Sequence, residues 1–244
     1  MKQLILRVTE NIPIAAHVYR MTLEGQQLEE LRPGQFVNIR LNGLYLRRPI
    51  SVCDSEHGWL MIVYKAVGKG TEQMSRMRAG ETLDVLTGLG NGYDLSKAGD
   101  APLLLGGGVG VPPLYMLARK LREQGKAVSV VLGFNTKSEV FGEEAFRRLG
   151  CAVTVTTADG SYGTKGFVTD AVPEKYSYFY TCGPEPMLKA VFRKTVTSGQ
   201  FSFEERMGCG FGACMGCSCK TITGYKRICR EGPVLEKEEI LWED

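Results

Sequence analysis

The chain has 244 residues, 43% of them hydrophobic, with 30 Lys and Arg against 27 Asp and Glu. That length predicts two domains or one large one, with apolar residues enough for ordinary cores. A net charge of +3 without a long basic run argues against a nucleic-acid partner, and the start Met1–Arg7 lacks the apolar stretch of a secretory signal.

Residues 1 to about 97 read as β, with candidate strands at 2–8, 17–24, 35–41, 48–54, 59–66 and 81–86. Turn signals separate them: Pro33-Gly34, Asn42-Gly43, Glu56-His57-Gly58 and Ala79-Gly80. Six short strands predict a small antiparallel barrel. A helix over roughly 72–78 interrupts them, with Thr71 as its N-cap. After Gly99-Asp100 strand and helix alternate. Leu103-Leu104-Leu105 is a short buried strand, then come helix 113–124, strand 127–134, helix 139–148, strand 151–157, helix 166–172, strand 176–182 and helix 185–196. Such alternation predicts a doubly wound parallel sheet. From about 201 the chain is rich in cysteine and glycine, with little room for a core of its own, so a metal centre is expected to hold it. The expected domains are 1–99, 100–200 and 201–244.

The uncharged stretch Ala101 to Ala118 approaches the length of a membrane span. Its glycines and prolines suit a phosphate loop better, and the chain reads as a soluble, cytoplasmic protein with free thiols and no membrane contact. The loop Gly106-Gly107-Gly108-Val109-Gly110-Val111-Pro112-Pro113 lies between a strand and a helix. Bare backbone at Gly108 and Gly110 can approach a pyrophosphate, and the helix start adds partial positive charge. Pro113 stands where a strict G-x-G-x-x-G has its third glycine, and a helix start tolerates it. A plain tight turn is the alternative. The second strand ends Gly133-Phe134-Asn135 with no acidic ribose clamp, so NAD and NADP both remain open.

Arg47-Arg48-Pro49-Ile50-Ser51 opens a barrel strand. Arg48 can pair with a diphosphate and Ser51 can bond a flavin ring nitrogen; the alternative is an edge strand with solvated arginines. Thr181-Cys182-Gly183-Pro184-Glu185-Pro186-Met187 ends the last strand and starts a helix. Ligands of such sheets bind beyond the strand C-termini, which puts Cys182 at the end where a nicotinamide would lie. The alternative is a buried thiol, the reading given to Cys53 and Cys151.

Cys209, Cys214, Cys217 and Cys229 follow the spacing C-x4-C-x2-C-x11-C. C-x4-C-x2-C…C is the plant-type [2Fe–2S] pattern. Gly208, Gly210, Gly212 and Gly216 let the backbone bring N–H groups to the sulfurs. The alternative is structural zinc, which usually pairs two C-x2-C knuckles where this chain has one. A disulfide framework does not suit a long chain with scattered cysteines. Cys219 is a fifth thiol, read as a bystander.

Taken in order, Arg48-Pro-Ile-Ser51, Gly108-Val-Gly-Val-Pro-Pro113 and Cys182-Gly-Pro-Glu-Pro-Met187 resemble the ferredoxin–NADP reductase superfamily. With Glu205-Arg-Met-Gly-Cys209 through Cys219-Lys-Thr and Cys229-Arg-Glu-Gly-Pro233, essentially the whole chain resembles the electron-transfer subunits of class 1B dihydroorotate dehydrogenases. The resemblance implies FAD contacts at Arg48, Pro49, Ile50, Ser51, Val63, Tyr64, Lys65, Gly70 and Thr71. Ile50 stands where the superfamily often stacks an aromatic ring on the flavin, which leaves Tyr64 as the stacking candidate. It implies NAD contacts at Gly108, Gly110, Pro113, Cys182, Gly183 and Pro184, and the four named cysteines as cluster ligands. It further implies an FMN-bearing catalytic partner, two copies of each subunit, and electrons passing from dihydroorotate through [2Fe–2S] and FAD to NAD⁺ in pyrimidine synthesis. A reductase subunit of a sulfide dehydrogenase or hydrogenase, and a zinc-stabilised nucleotide-binding module, are the other readings.

Overall fold

The computed structural model describes residues 1–242; Glu243 and Asp244, the end of the expected third unit, lie outside the described residues. The barrel comprises β1 (Lys2–Ala15), β2 (Val18–Glu24), β3 (Phe36–Arg40), β4 (Arg48–Glu56) and β5 (Trp59–Lys65), then α1 (Lys69–Ser75) and β6 (Thr82–Leu89). It closes in the antiparallel order β1-β2-β5-β4-β3-β6. Alternation builds its interior: Leu6, Val8, Met21, Leu23, Val37, Ile39, Ile62 and Val85 are fully buried.

Two expectations in this region need correction. The first strand runs on to Ala15, beyond 8, because it changes partner from β6 to β2 near Arg7, with bulges after Val8 and after Pro13. The helix begins at Lys69, with Gly68 as N-cap. Thr71 is its third residue, and its Oγ1 accepts the N–H groups of Val67 and Gly68 at 3.0 and 3.3 Å. A threonine reaching backward resembles, in sequence, one capping forward.

The second layer comprises β7 (Leu103–Gly107), α2 (Pro113–Glu123), β8 (Ser129–Phe134), α3 (Glu143–Arg148), β9 (Ala152–Thr157), β10 (Thr164–Lys165), β11 (Phe179–Cys182), α4 (Glu185–Lys194) and β12 (Gly199–Ser202). Then come β13 (Ser218–Thr221), β14 (Gly224–Arg227) and β15 (Val234–Glu236). The sheet order is β10-β9-β8-β7-β11-β12-β15, parallel except for β15. Leu104, Val130 and Leu132 face α2 and α3 on one side. Leu103, Leu105 and Val131 meet Leu188 and Val191 of α4 on the other. Arg119 of α2 reaches back to the barrel, where its guanidinium sits 2.7 Å from Asp54 on β4.

The expected helix 166–172 is only a 3₁₀ turn at Val168–Ala171, because Gly166 takes φ +129 and Pro173 closes the far end. The helix expected over 139–148 is short for a similar reason: Gly142, at φ +83, is the N-cap of α3 and separates it from a 3₁₀ turn at Lys137–Glu139 that Val140 ends in extended backbone. The strand expected over 176–182 is only Phe179–Cys182, and β12 falls where the sequence suggested a domain boundary.

The cysteine-rich segment has more than a metal centre to hold it. Ile228, Leu235 and Ile240 are buried with Phe179 and Phe201. The Trp242 ring meets Phe192 edge-on at 5.0 Å and Phe201 at 5.6 Å. Asn91 ties the segment to the barrel's exit, donating to the carbonyls of Glu231 and Val234.

Candidate functional site

Arg47 and Arg48 part company at the start of β4. The Arg47 guanidinium turns inward to Asp84, 3.0 Å from its carboxylate. Arg48 lies across the start of α1, where a Cβ on Gly70 would come 2.3 Å from its Nε. Its guanidinium also donates to the Leu46 carbonyl. Gly70 is thus the residue that leaves room for Arg48, and both come together with Lys69 and Thr71 at one corner of the barrel. Pro49, Ile50 and Ser51 follow along β4, half-buried.

Alternation on β5 separates its three candidates. Val63 packs with Val18 and Cys53 toward the α/β layer, and Lys65 lines the cleft between the layers. Tyr64 points the other way, into the barrel, and is 2% exposed. Its ring stacks on Tyr19 at 5.8 Å and its hydroxyl donates to Asn11 at 2.9 Å. Tyr64 therefore does not present the stacking face suggested for it.

A cleft of about 510 Å³ opens at the C-terminal ends of the parallel strands. It is lined by Gly107–Gly110, by Gly133–Asn135, by Gly183 and Pro184, and on the barrel side by Val18 and Lys65. The two glycines of interest work differently. Gly108, at φ +52, has nothing within 4 Å of where a Cβ would stand, so it needs glycine for its backbone shape. At Gly110 a Cβ would fall 2.3 Å from the Cys182 carbonyl oxygen and 2.5 Å from the Gly183 nitrogen. Gly110 thus allows two main-chain segments to touch and form the cleft floor. Pro113 is buried as the first residue of α2. Cys182 is 1% exposed, within the apolar cluster, and burial pushes its thiol up. The buried-thiol alternative is the one the structure supports; the residue serves the cleft through its carbonyl.

The cleft also contains residues the sequence did not flag. Glu139 pairs with Lys65 at 2.9 Å, and Glu204 lines the wall with its carboxyl pushed up by burial. Glu204 is the second residue after β12, so locating that strand would have exposed it.

The cysteine loop shows how thiolates would be held. The Cys209 sulfur accepts N–H groups from Ala213 at 3.2 Å and from Phe211 and Cys214 at 3.5 Å. Burial works against its ionisation, but these donors outweigh it and bring the thiol down to about 6. Cys214 accepts the Cys209 N–H, and Cys217 accepts that of Cys229, both at 3.4 Å. The thiols fall into two pairs, Cys209 with Cys214 and Cys217 with Cys229. Among the described residues no three His, Cys, Asp or Glu side chains gather around one point as a lone ion requires. Two pairs suit two irons better, each with two thiolates. Cys219 lies half-buried on the hairpin, packed on the apolar core.

The loop docks on the barrel. The Asn38 side-chain amide donates to the Cys209 carbonyl at 3.2 Å, and a Cβ on Gly210 would strike that same nitrogen. Asn38 is paired with Pro49 across β3 and β4. Cys214 and the neighbouring Phe211 and Met215 are exposed, while Cys217 and Cys229 are buried.

Residues 204–241 match the iron–sulfur cluster binding domain of dihydroorotate dehydrogenase B, and 104–193 match the oxidoreductase NAD-binding domain. The chain is 44% identical to the dihydroorotate dehydrogenase B (NAD⁺) electron transfer subunit of a Geobacillus species, over 99% of both chains. It is equally identical to that of Fusobacterium nucleatum over 93% of this chain and 94% of the relative. Among solved structures, that of an NADH-dependent reduced ferredoxin–NADP oxidoreductase superimposes with a TM-score of 0.88 at 33% identity, over 97% of this chain and 90% of the other.

Proposed function

Since the chain belongs to the family of electron-transfer subunits of dihydroorotate dehydrogenase B, we propose that it relays electrons from a catalytic partner to NAD⁺ as dihydroorotate is oxidised to orotate. The observation that carries this is the arrangement around the barrel. The cysteine loop rests on Asn38 beside β4, and the cleft borders β5, so the neighbouring strands β4 and β5 lie between the two. Bound there, FAD would exchange single electrons with the cluster and a hydride with nicotinamide, which neither of those can do for the other.

The protein's residues do the placing. Arg48 offers a charge-assisted fork to the flavin diphosphate, and Pro49, Ile50, Ser51, Val63, the Tyr64 main chain, Gly70 and Thr71 shape its bed. Gly108, Gly110, Gly183 and Pro184 form the cleft floor for NAD. Cys209, Cys214, Cys217 and Cys229 hold the cluster, and Asn38 fixes their loop. Residues 1–99 are the flavin portion, those from 100 through the end of β12 the dinucleotide portion, and those beyond β12 the cluster portion.

The partner is an FMN-bearing catalytic subunit, assembled as two copies with two copies of this chain, in the cytoplasm. Among the described residues no helix is long and apolar enough to cross a membrane. The partner faces the cysteine loop, where an exposed ligand is surrounded by exposed Phe211 and Met215, with Ile222 and Tyr225 exposed on the hairpin. The 33% identical structure favours, as a second reading, a reductase subunit of another flavin complex; 44% identity over the full chain ranks the first above it. The isolated chain, loaded with its cofactors, should reduce dyes with NADH and leave dihydroorotate untouched. Adding the FMN subunit should couple dihydroorotate oxidation to NAD⁺ reduction. Anaerobic bleaching of FAD by dihydroorotate in the isolated chain would overturn the proposal.

A further inference from the structure

Lys65 and Glu139 meet across the cleft from opposite layers. Lys65 ends β5 on the barrel, and Glu139 closes the turn after β8. The Lys65 Nζ lies 2.9 Å from Glu139 Oε1. Oε2 of the same carboxylate accepts the Asn135 side-chain N–H at 2.9 Å and its backbone N–H at 3.2 Å. The pairing with Lys65, chiefly through this hydrogen bond, holds the Glu139 carboxyl below the usual range.

Charge makes the pair unexpected. Lys65 is the one cation among the described residues that line the cleft, and Glu139 is the carboxylate that meets it. A dinucleotide brings a doubly negative diphosphate to this place, yet the cation that would meet it is already neutralised. The contact is half-exposed, with side chains 35% and 23% accessible. Pairs of that kind are weakly held and exchange readily.

We propose that Glu139 acts as an internal stand-in for the dinucleotide diphosphate, occupying Lys65 until the ligand displaces it. Binding exchanges one anion for another, so Glu139 lowers affinity and hastens release of the nicotinamide product. The inference rests on reading this cleft as the NAD site. Product release limits turnover in many enzymes, and a cleft that kept its cation free would hold NADH longer.

The test titrates the cofactor-loaded protein with ADP-ribose, which carries the diphosphate without the nicotinamide, by calorimetry. Glu139→Gln keeps an acceptor for Asn135 and removes the charge. It should bind ADP-ribose about three- to ten-fold more tightly, tenfold being the equivalent of ~1.4 kcal/mol. Lys65→Met should bind more weakly, and the gain from Glu139→Gln should vanish in the double variant. Unchanged affinity in Glu139→Gln, or a gain that survives Lys65→Met, overturns the inference. Weaker binding in Glu139→Gln also overturns it, since Glu139 would then be bonding the ligand. If Lys65→Met loses flavin, salt dependence decides: a freed Lys65 should steepen it in Glu139→Gln, and equal slopes refute the exchange. No binding of ADP-ribose by the unmodified protein would instead bring down the reading of the cleft, and the inference with it.

Discussion

Gly110 offers a sharp test of how the dinucleotide cleft is built. Its φ is not in the left-handed region, so alanine there brings no backbone strain. What it brings is a methyl group 2.3 Å from the Cys182 oxygen, 2.4 Å from the Cys182 carbonyl carbon and 2.5 Å from the Gly183 nitrogen. All three are main-chain atoms and cannot rotate aside, so the loop and the end of β11 must move apart. Overpacking of this kind costs about 1–3 kcal/mol. For a chain of this size each kcal/mol lowers Tm by about 2–4 °C, so Gly110→Ala should melt about 2–12 °C lower. The same displacement opens the floor of the cleft, and the KM for NADH in a dye-reduction assay should rise while the flavin absorbance stays. Gly110→Val should exaggerate both effects. Gly43→Ala is the control, at φ +74 with nothing within 4 Å: it carries strain alone and should leave KM unchanged. A Gly110→Ala protein with the parent's Tm and KM would refute the argument that this wall cannot yield.

Three further outcomes follow from the cysteine loop and the barrel. Cys214→Ser should abolish the EPR signal of the reduced cluster, whereas Cys219→Ser should keep it; the reverse would reassign the fourth thiol. Arg48→Ala should shed FAD on gel filtration while the apolar contacts of Trp242 keep the C-terminal segment folded; full flavin retention counts against Arg48 as the diphosphate partner. Glu231, bonded by the Arg227 side chain and its N–H, has its carboxyl drawn down to about 2 from 4.5. A lowered pKa stabilises the fold above the unfolded value, so this anchor is intact above pH 4.5 and lost as pH falls toward 2. Hydrogen exchange in the β13–β14 hairpin should rise over that interval, and Glu231→Gln should flatten the dependence.

The sequence revealed what local chemistry controls. Glycine and proline marked the turns, alternation marked the barrel, and the cysteine spacing stood out because metal ligands must recur at set intervals. Direction and distance were less visible. Tyr64 and Lys65 are neighbours in sequence, yet the pleat sends one into the barrel and the other to the cleft. Cys182 sits at the functional end of β11 but turns its sulfur inward. The helix expected over 166–172 shrinks to a 3₁₀ turn because Gly166 adopts φ +129, which its identity permits but does not require. β12 and β15 are four and three residues long, too short for a periodic signal, and pair across an intervening segment of thirty-odd residues. The Lys65–Glu139 contact joins two layers, and only the packing of one against the other brings it about.

The pairing of β15 with β12 has a consequence for how this protein can be taken apart. Ser202, Phe201 and Gln200 are matched to Val234, Leu235 and Glu236, so the last parallel strand has a covered flank. Without residues beyond the cysteine loop, β12 would be a bare edge, offering unpaired N–H and C=O groups beside Phe201 and Phe192. Exposed edges of that kind recruit other chains. The cluster-bearing segment is therefore also the sheet's guard against self-association. A truncated protein made to study the flavin and dinucleotide portions alone should aggregate, and charged substitutions on the β12 flank would be needed to keep it in solution.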